Sequence, residues 1–317
     1  MEALGFSLSS ELCRPRELVD LARQAEQRGF DFALISDHFH PWVSAQGNSP
    51  FVWSVLGGIA AVTERLQVGT GVTCPLLRIH PAVIAQAAAT TADLFQGRFF
   101  LGLGAGENLN EHVLGDRWPP PPERQDMLLE AIEILRELWE GDDVSFDGAY
   151  YQVDEARLFT LPERPPPIVL AASGPESARI AAEVCEGLMG VAPDADLVEA
   201  FDGAADGRRP KYAQVTLAWD PSEKAARERL VKVWPQSGLG GSLKWETKTY
   251  RLFDDGVKPL TEEQIIGKTP CGPDPEAHLE AIRVFTGAGY THISLHQIGG
   301  DYAAFLEFAE KELRPRL

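Results

Sequence analysis

Phe32-Ala33-Leu34-Ile35-Ser36-Asp37-His38-Phe39-His40-Pro41-Trp42 changes character halfway along. Its first half is a continuous apolar run, the pattern of a strand buried on both faces, read here over 32–36. Its second half crowds two imidazoles, a carboxylate and an indole into one short loop. A buried parallel strand whose carboxyl end opens into polar residues is a building block of α/β folds, and the rest of the chain repeats it.

Upstream, 4–8 reads as a strand and 14–28 as a helix with Leu18, Leu21, Ala22 and Ala25 on one face. Downstream come a helix over 51–63, a strand over 66–72, an alanine-rich helix over 81–94, a strand over 98–103 and a periodic helix over 124–138. Residues 140–165 read as a small β excursion, with Val144-Ser145-Phe146 and Tyr150-Tyr151-Gln152-Val153 on either side of Asp147-Gly148. The alternation resumes with a strand at 168–172, a helix at 176–185, a strand at 188–191, a helix at 196–205 and a strand at 213–219. It ends with a helix at 277–288, a strand at 291–296 and a helix at 302–313. The stretch 220–272 breaks the pattern; it holds Gly238-Leu239-Gly240-Gly241 and Lys244-Trp245-Glu246 and reads as a lid insertion. Eight strands alternating with helices predict one α/β domain over 1–317, a (β/α)8 TIM barrel with insertions at its carboxyl-end face.

Composition narrows the partners. The 47 acidic and 29 basic residues leave a formal charge of −18. Such a surface repels polyanions, so neither nucleic acid nor an anionic membrane is an expected partner. Cys13, Cys74, Cys185 and Cys271 are far apart and read as reduced thiols of a cytoplasmic protein. No stretch reads as a signal peptide or membrane span, and no cluster has metal-ligand spacing.

In a barrel, chemistry gathers after the strands. After the second strand, His38 is a candidate proton-transfer group and Asp37 the residue to orient it; the plain alternative is loop capping. After the third, Gly69-Thr70-Gly71-Val72-Thr73-Cys74-Pro75 allows close approach to a flat ring or simply a tight turn. After the fourth, Gly102-Leu103-Gly104-Ala105-Gly106-Glu107-Asn108 resembles a dinucleotide loop, but no helix is expected to open there and no acidic residue follows at the right distance. Glu107 remains as a carboxylate at the mouth, while Glu111 and His112 read as helix surface. After the fifth, Ala171-Ala172-Ser173-Gly174-Pro175-Glu176-Ser177 leads into a helix N-terminus, where a phosphate or an ordinary cap would sit. Leu295-His296-Gln297-Ile298-Gly299-Gly300 adds polar groups after the last strand. These residues alone describe a barrel oxidoreductase or isomerase with a phosphate-bearing ligand.

Taken together, Ser36–Trp42, Gly69-Thr70-Gly71-Val72, His80-Pro81-Ala82-Val83-Ile84-Ala85-Gln86 and Gly104-Ala105-Gly106-Glu107-Asn108-Leu109-Asn110-Glu111 resemble the F420-dependent glucose-6-phosphate dehydrogenases of the luciferase-like monooxygenase superfamily. The resemblance runs nearly end to end, through Leu313-Arg314-Pro315-Arg316-Leu317. It implies coenzyme F420, a 5-deazaflavin that accepts a hydride from an alcohol carbon, and a homodimer. It implies His38 as the base that takes the hydroxyl proton, Glu107 as the carboxylate assisting at the deazaflavin, Trp42 as a stabilising indole and Glu11 as a further acid near the substrate. It places Asp37, Gly71, Val72, Ala105, Gly106, Glu107, Asn108, Ala172, Ser173 and Gly174 against the cofactor, with a cis peptide at Gly71-Val72.

The departures from that family bear on the substrate. Its two phosphate-binding lysines and arginine fall here at Asp194, near Gly267 or Lys268, and at Ala303 or Ala304. An aspartate facing a phosphate dianion repels it, so an alcohol, sugar hydroxyl or hemiacetal, or in reverse a carbonyl, is expected and glucose 6-phosphate is not. Lys244, Lys248 or Arg251 remain available to supply charge instead. Two other readings stand beside this one: an FMN-dependent luciferase-like monooxygenase, and a non-catalytic F420-binding protein.

Overall fold

The computed structural model describes residues 1–317. In chain order its elements are β1 (Ala3–Leu8), α1 (Pro15–Gln27), β2 (Phe32–Ile35), α2 (Val52–Ala60), β3 (Gln67–Thr70), α3 (Pro81–Phe95), β4 (Phe99–Leu103), α4 (Asn108–Glu111) and α5 (Pro121–Trp139). There follow β5 (Val144–Asp147), β6 (Gln152–Ala156), β7 (Ile168–Ala171), α6 (Pro175–Val184), β8 (Gly187–Gly190), α7 (Ala195–Ala204) and β9 (Lys211–Leu217). The last are α8 (Glu223–Val233), α9 (Leu243–Glu246), α10 (Tyr250–Gly256), α11 (Glu262–Ile266), α12 (Pro275–Gly287), β10 (His292–Gln297) and α13 (Tyr302–Phe308).

Eight strands close into a parallel barrel in the order β1-β10-β9-β8-β7-β4-β3-β2, so the expected (β/α)8 TIM barrel is the fold. β5 and β6 stand apart as an antiparallel hairpin, where the β excursion was expected. Two differences from the sequence reading have local causes. Helix α5 starts at Pro121 rather than 124, because a proline suits the first helical position, where its missing N–H has no partner to lose. A single helical turn, α4, does follow the glycine loop after β4, where none was expected.

The barrel interior is layered. At the bottom, Phe32, Leu34, Phe100, Val169, Met189 and Tyr212 form an aromatic-rich plug, with Phe100 stacked on Tyr212 at 4.8 Å. Glycines make room for it: a Cβ on Gly5 would stand 2.5 Å from the Phe32 ring, and one on Gly69 only 2.1 Å from Phe100. Alternation then carries Ser7 of β1 and Ser9 just beyond it, Gln214 and Thr216 along β9, and Ser294 and His296 along β10 to the same inner face. Ser7 Oγ meets Ser294 Oγ at 2.7 Å, and His296 reaches Gln214, Thr216 and Ser9. This polar layer lies between the plug and the mouth.

The helices pack their apolar faces on the outside of the strands, and the Trp139 indole ties α5 to α3 by donating to Ala85 O at 3.0 Å. Within 220–272 the chain forms α8 to α11, of which α8 has only Ala226 and Leu230 buried; so narrow an apolar stripe explains why its period was not legible. No helix is long and apolar enough to cross a membrane.

Candidate active site at the barrel mouth

Glu11 leaves β1 and His38 leaves β2, and the neighbouring strands bring them together. Glu11 Oε1 lies 2.7 Å from His38 Nδ1, with both side chains buried. The Ser9 and Ser36 hydroxyls each donate to Glu11 Oε2 at 3.0 Å. Burial works to raise the Glu11 carboxyl, but the His38 charge and hydrogen bond, helped by backbone and Ser36 donors, hold it down at about 2. Burial works to lower His38; the Glu11 charge and hydrogen bond outweigh it, Glu107 and Asp37 add to them, and the imidazole rises to about 9. The pair is therefore carboxylate and imidazolium at neutral pH, with Nε2 the nitrogen left for chemistry.

The sequence reading gave Asp37 the task of orienting His38; Glu11 holds that place instead. Arg78 Nη2 donates to Asp37 Oδ1 at 2.9 Å, and Thr73 Oγ1 donates to Asp37 Oδ2 at 2.8 Å. Successive residues of an extended chain point to opposite sides, so Asp37 and His38 take different partners.

Glu111 and His112 also depart from expectation. Glu111 is fully buried, accepts the N–H groups of Leu77 and Arg78 at 3.2 and 2.9 Å, and faces the Arg78 guanidinium at 3.5 Å. It pins the loop after β3 to α4. His112 is half-buried and stacks on His40, with ring centroids 5.7 Å apart.

Glu107 precedes α4 and accepts from Asn110 Nδ2 at 3.3 Å. The other end of the same amide, Asn110 Oδ1, accepts the N–H groups of Phe39 and His40 at 2.9 and 3.1 Å. Asn110 thus fixes Glu107 relative to the loop bearing His38. The Trp42 indole stands edge-on to the His38 ring, centroids 5.3 Å apart, and meets Phe253 of α10 at 5.4 Å. Its backbone N–H donates to Gln46 Oε1 at 2.7 Å. Gln46, Arg78, Asn110 and Phe253 were not singled out from the sequence; the last three act through partners distant along the chain, and Gln46 through a local bond to the Trp42 N–H that no residue pattern announces.

Beside this cluster, the ends of β3, β4 and β7 form a floor of small, partly open residues: Gly71, Val72, Ala105, Gly106, Ala171 and Ala172. The Gly71–Val72 peptide is cis. Val72 and Ala171 rest on the aromatic plug below. At the rim, the N–H groups of Ser173 and Gly174 reach only Ser177 Oγ, at 3.3 Å, and a Cβ on Gly174 would meet nothing within 4 Å. Across the floor, Asn108 Oδ1 is buried without a partner. A flat ring with a phosphate-bearing tail fits this arrangement: an apolar floor, an unsatisfied polar group at its edge and a helix N-terminus at the rim.

The structure places the residues expected at the resembled family's phosphate-binding positions as follows. Asp194 caps α7, accepting the N–H of Leu197 at 3.1 Å. Lys268 is exposed after α11, and Ala303 and Ala304 lie on α13. Of the alternative cations, Lys248 and Arg251 are exposed, whereas Lys244 on α9 is partly buried and its ammonium is pushed down by that burial.

Fold and site together define a barrel enzyme with its chemistry at the carboxyl ends of the strands. Residues 4–292 match the luciferase-like monooxygenase family, and the chain belongs to it. It is 37% identical to an F420-dependent glucose-6-phosphate dehydrogenase of Gordonia bronchialis, over 99% of this chain and 97% of the relative. It is 37% identical to another of that name from Nocardia farcinica, over the same shares. Among solved structures, an F420-dependent secondary alcohol dehydrogenase in complex with an F420-acetone adduct superposes with a TM-score of 0.89 at 29% identity, covering 99% of this chain and 98% of that one.

Proposed function

We propose that this protein is an F420-dependent dehydrogenase or carbonyl reductase acting on a phosphate-free alcohol, sugar hydroxyl or hemiacetal carbon. The observation that carries the reading is the Glu11–His38 pair, 2.7 Å apart, set beside Trp42 and Glu107 at the edge of the small-residue floor. Coenzyme F420, when bound, supplies a two-electron hydride acceptor. In its deprotonated form His38 takes the proton of the substrate hydroxyl at Nε2, and Glu11 stabilises the resulting imidazolium through Nδ1. Glu107 manages a second proton at the cofactor, and Trp42 closes the apolar side of the reacting centre. Gly71, Val72, Ala105, Gly106 and Asn108 hold the ring, Asp37 lies beside it, and Ala172, Ser173 and Gly174 hold the phosphate. The segment 220–272 serves as the lid. Its supports are Phe253 packed on Trp42, the bond from Asn108 Nδ2 to Glu246 O at 3.1 Å, and Arg124 paired with Glu246.

The protein acts in the cytoplasm as a homodimer in this reading. The outward faces of α2 and α3 favour such pairing: the run from Phe51 to Thr63 carries no charge, and Phe51, Val83 and Leu94 are about half exposed. A sedimentation measurement showing a monomer at micromolar concentration overturns that part alone.

The functional test is titration with F420 and, in parallel, with FMN, followed by anaerobic turnover of short alcohols. Micromolar or tighter binding of F420 alone, with alcohol-dependent loss of its absorbance, upholds the reading. Preference for FMN with oxygen consumption moves the protein to the monooxygenases of its family. Tight F420 binding without turnover of any alcohol or carbonyl leaves a binding protein.

A further inference from the structure

Beneath the Glu11–His38 pair, the polar layer of the barrel forms one continuous chain of hydrogen bonds. Ser9 Oγ donates to Glu11 Oε2 at 3.0 Å and lies 3.4 Å from His296 Nε2. His296 Nδ1 lies 3.3 Å from Thr216 Oγ1 and 3.4 Å from Gln214 Nε2. Gln214 Oε1 accepts from Ser7 Oγ at 3.3 Å.

The proton positions follow from one end. An ionised carboxylate only accepts, so the Ser9 hydroxyl hydrogen points to Glu11. The Ser9 oxygen then accepts, and the nearby donor is His296 Nε2–H. That leaves Nδ1 of a neutral His296 to accept from Thr216 or Gln214. Of the two neutral tautomers, only this one supplies the Ser9 oxygen with a donor and leaves the donors beside Nδ1 an acceptor. His296 is buried, and the Trp234 indole stands edge-on to its ring at 4.7 Å, which fixes the ring from the side.

We propose that His296 is a positioning residue: acting through Ser9, it holds the Glu11 carboxylate aimed at His38 Nδ1. The charged groups facing His38 are Glu11, Asp37 and Glu107; the charged group facing His296 is Glu11, and its other neighbours, Ser9, Gln214, Thr216 and Trp234, are neutral. Without the brace, Glu11 keeps Ser36, His38 and a backbone donor but loses the directed Ser9 bond, and its aim loosens.

The proposal rests on the F420-dependent reading only where turnover is measured, so the first readout needs no cofactor. The His38 titration is followed by NMR of imidazole carbons in the cofactor-free protein, for the unsubstituted chain and for His296→Leu, His296→Gln and Ser9→Ala. The expected result is a His38 midpoint that falls by at least one pH unit in His296→Leu and in Ser9→Ala. His296→Gln, whose amide N–H reaches Ser9 from nearly the same place, restores most of it. The double variant His296→Leu/Ser9→Ala shifts no further than either single one, because both break the same chain. If turnover is present, kcat falls about tenfold in His296→Leu with F420 affinity unchanged. A merely structural histidine lowers the melting temperature and leaves the His38 midpoint in place; that result, a midpoint that rises, or additive shifts in the double variant overturn the proposal. Lack of F420 turnover in the unsubstituted protein, with the midpoint shifts intact, refutes the functional reading and not this one.

Discussion

Glu11 meets His38 at Nδ1, 2.7 Å away, and both are buried. The carboxylate comes from one strand end and the imidazole from the next, so the parallel pairing of β1 with β2 makes the pair. Its electrostatics set two pH windows. Glu11, held at about 2 against an ordinary 4.5, contributes stability fully above 4.5 and loses it as pH falls toward 2. His38, raised from 6.5 to about 9, contributes stability below 6.5 and loses it as pH rises through 9. The loss of melting temperature in Glu11→Gln is therefore expected to be largest between pH 4.5 and 6.5 and to shrink above 9. Alcohol oxidation needs the base form of His38, so its kcat/KM climbs with pH toward 9, while carbonyl reduction uses the acid form and declines beyond it. A flat oxidation profile between pH 6 and 9 contradicts the assignment of His38 as base.

Arg78 is the cation between two buried carboxylates, 2.9 Å from Asp37 and 3.5 Å from Glu111. Arg78→Met strands both. Removing one member of a buried charged network costs about 3–5 kcal/mol, and the loss is expected in urea unfolding at pH 7. Burial already pushes the Glu111 carboxyl up against the pull of Arg78, so Glu111→Gln on top of Arg78→Met should recover part of the loss. F420 affinity is expected to fall as well, since Asp37 loses one of its two anchors and keeps only Thr73. Unchanged stability in Arg78→Met would show the guanidinium to be dispensable.

The barrel was legible because its strands are buried on both faces and spell themselves as apolar runs, such as Phe32-Ala33-Leu34-Ile35. Strand edges were less so: β9 begins at Lys211, two residues before the apolar run, because the Lys211 stem is buried and its ammonium pairs with Asp202. At the mouth, residue types pointed to loops that the fold brings together, but not to the partners within them. Asp37 next to His38 suggested a pair, yet pleating separates neighbours and delivers Glu11 from another strand. Glu111 looked like helix surface because nothing local reveals that Leu77 and Arg78 converge on it from tens of residues away. Long-range convergence of this kind leaves no period in the sequence.

Asp194, the position at which the sequence reading expects the resembled dehydrogenases' first phosphate-binding lysine, is committed to capping α7 at 3.1 Å from the N–H of Leu197. The unsubstituted protein is expected to turn over neutral alcohols and to use glucose 6-phosphate poorly. Asp194→Lys loses the cap, at about 1 kcal/mol. It gains a charge-assisted bond to phosphate of about 1.5–3 kcal/mol, so KM for the sugar phosphate should drop about tenfold while KM for neutral alcohols holds. Efficient use of glucose 6-phosphate by the unsubstituted chain sinks the exclusion, and points to Lys244 as its cation.

Phe253 is buried against Trp42, in a cluster with Val43 and Leu109 that is separate from the main core. Its truncation should therefore loosen the 220–272 segment rather than the barrel. A Phe→Ala change in a well-packed site costs about 3–5 kcal/mol, and here that loss falls on a local opening. Hydrogen exchange in Phe253→Ala is expected to quicken across α9 and α10 and around Trp42, with the barrel strands protected as before. The Trp42 indole then loses one of its two aromatic neighbours and swings more freely beside His38, so kcat/KM falls and KM rises. Uniformly faster exchange through β1, β2 and β10 would mean that Phe253 supports the whole barrel, and the segment would no longer qualify as a lid.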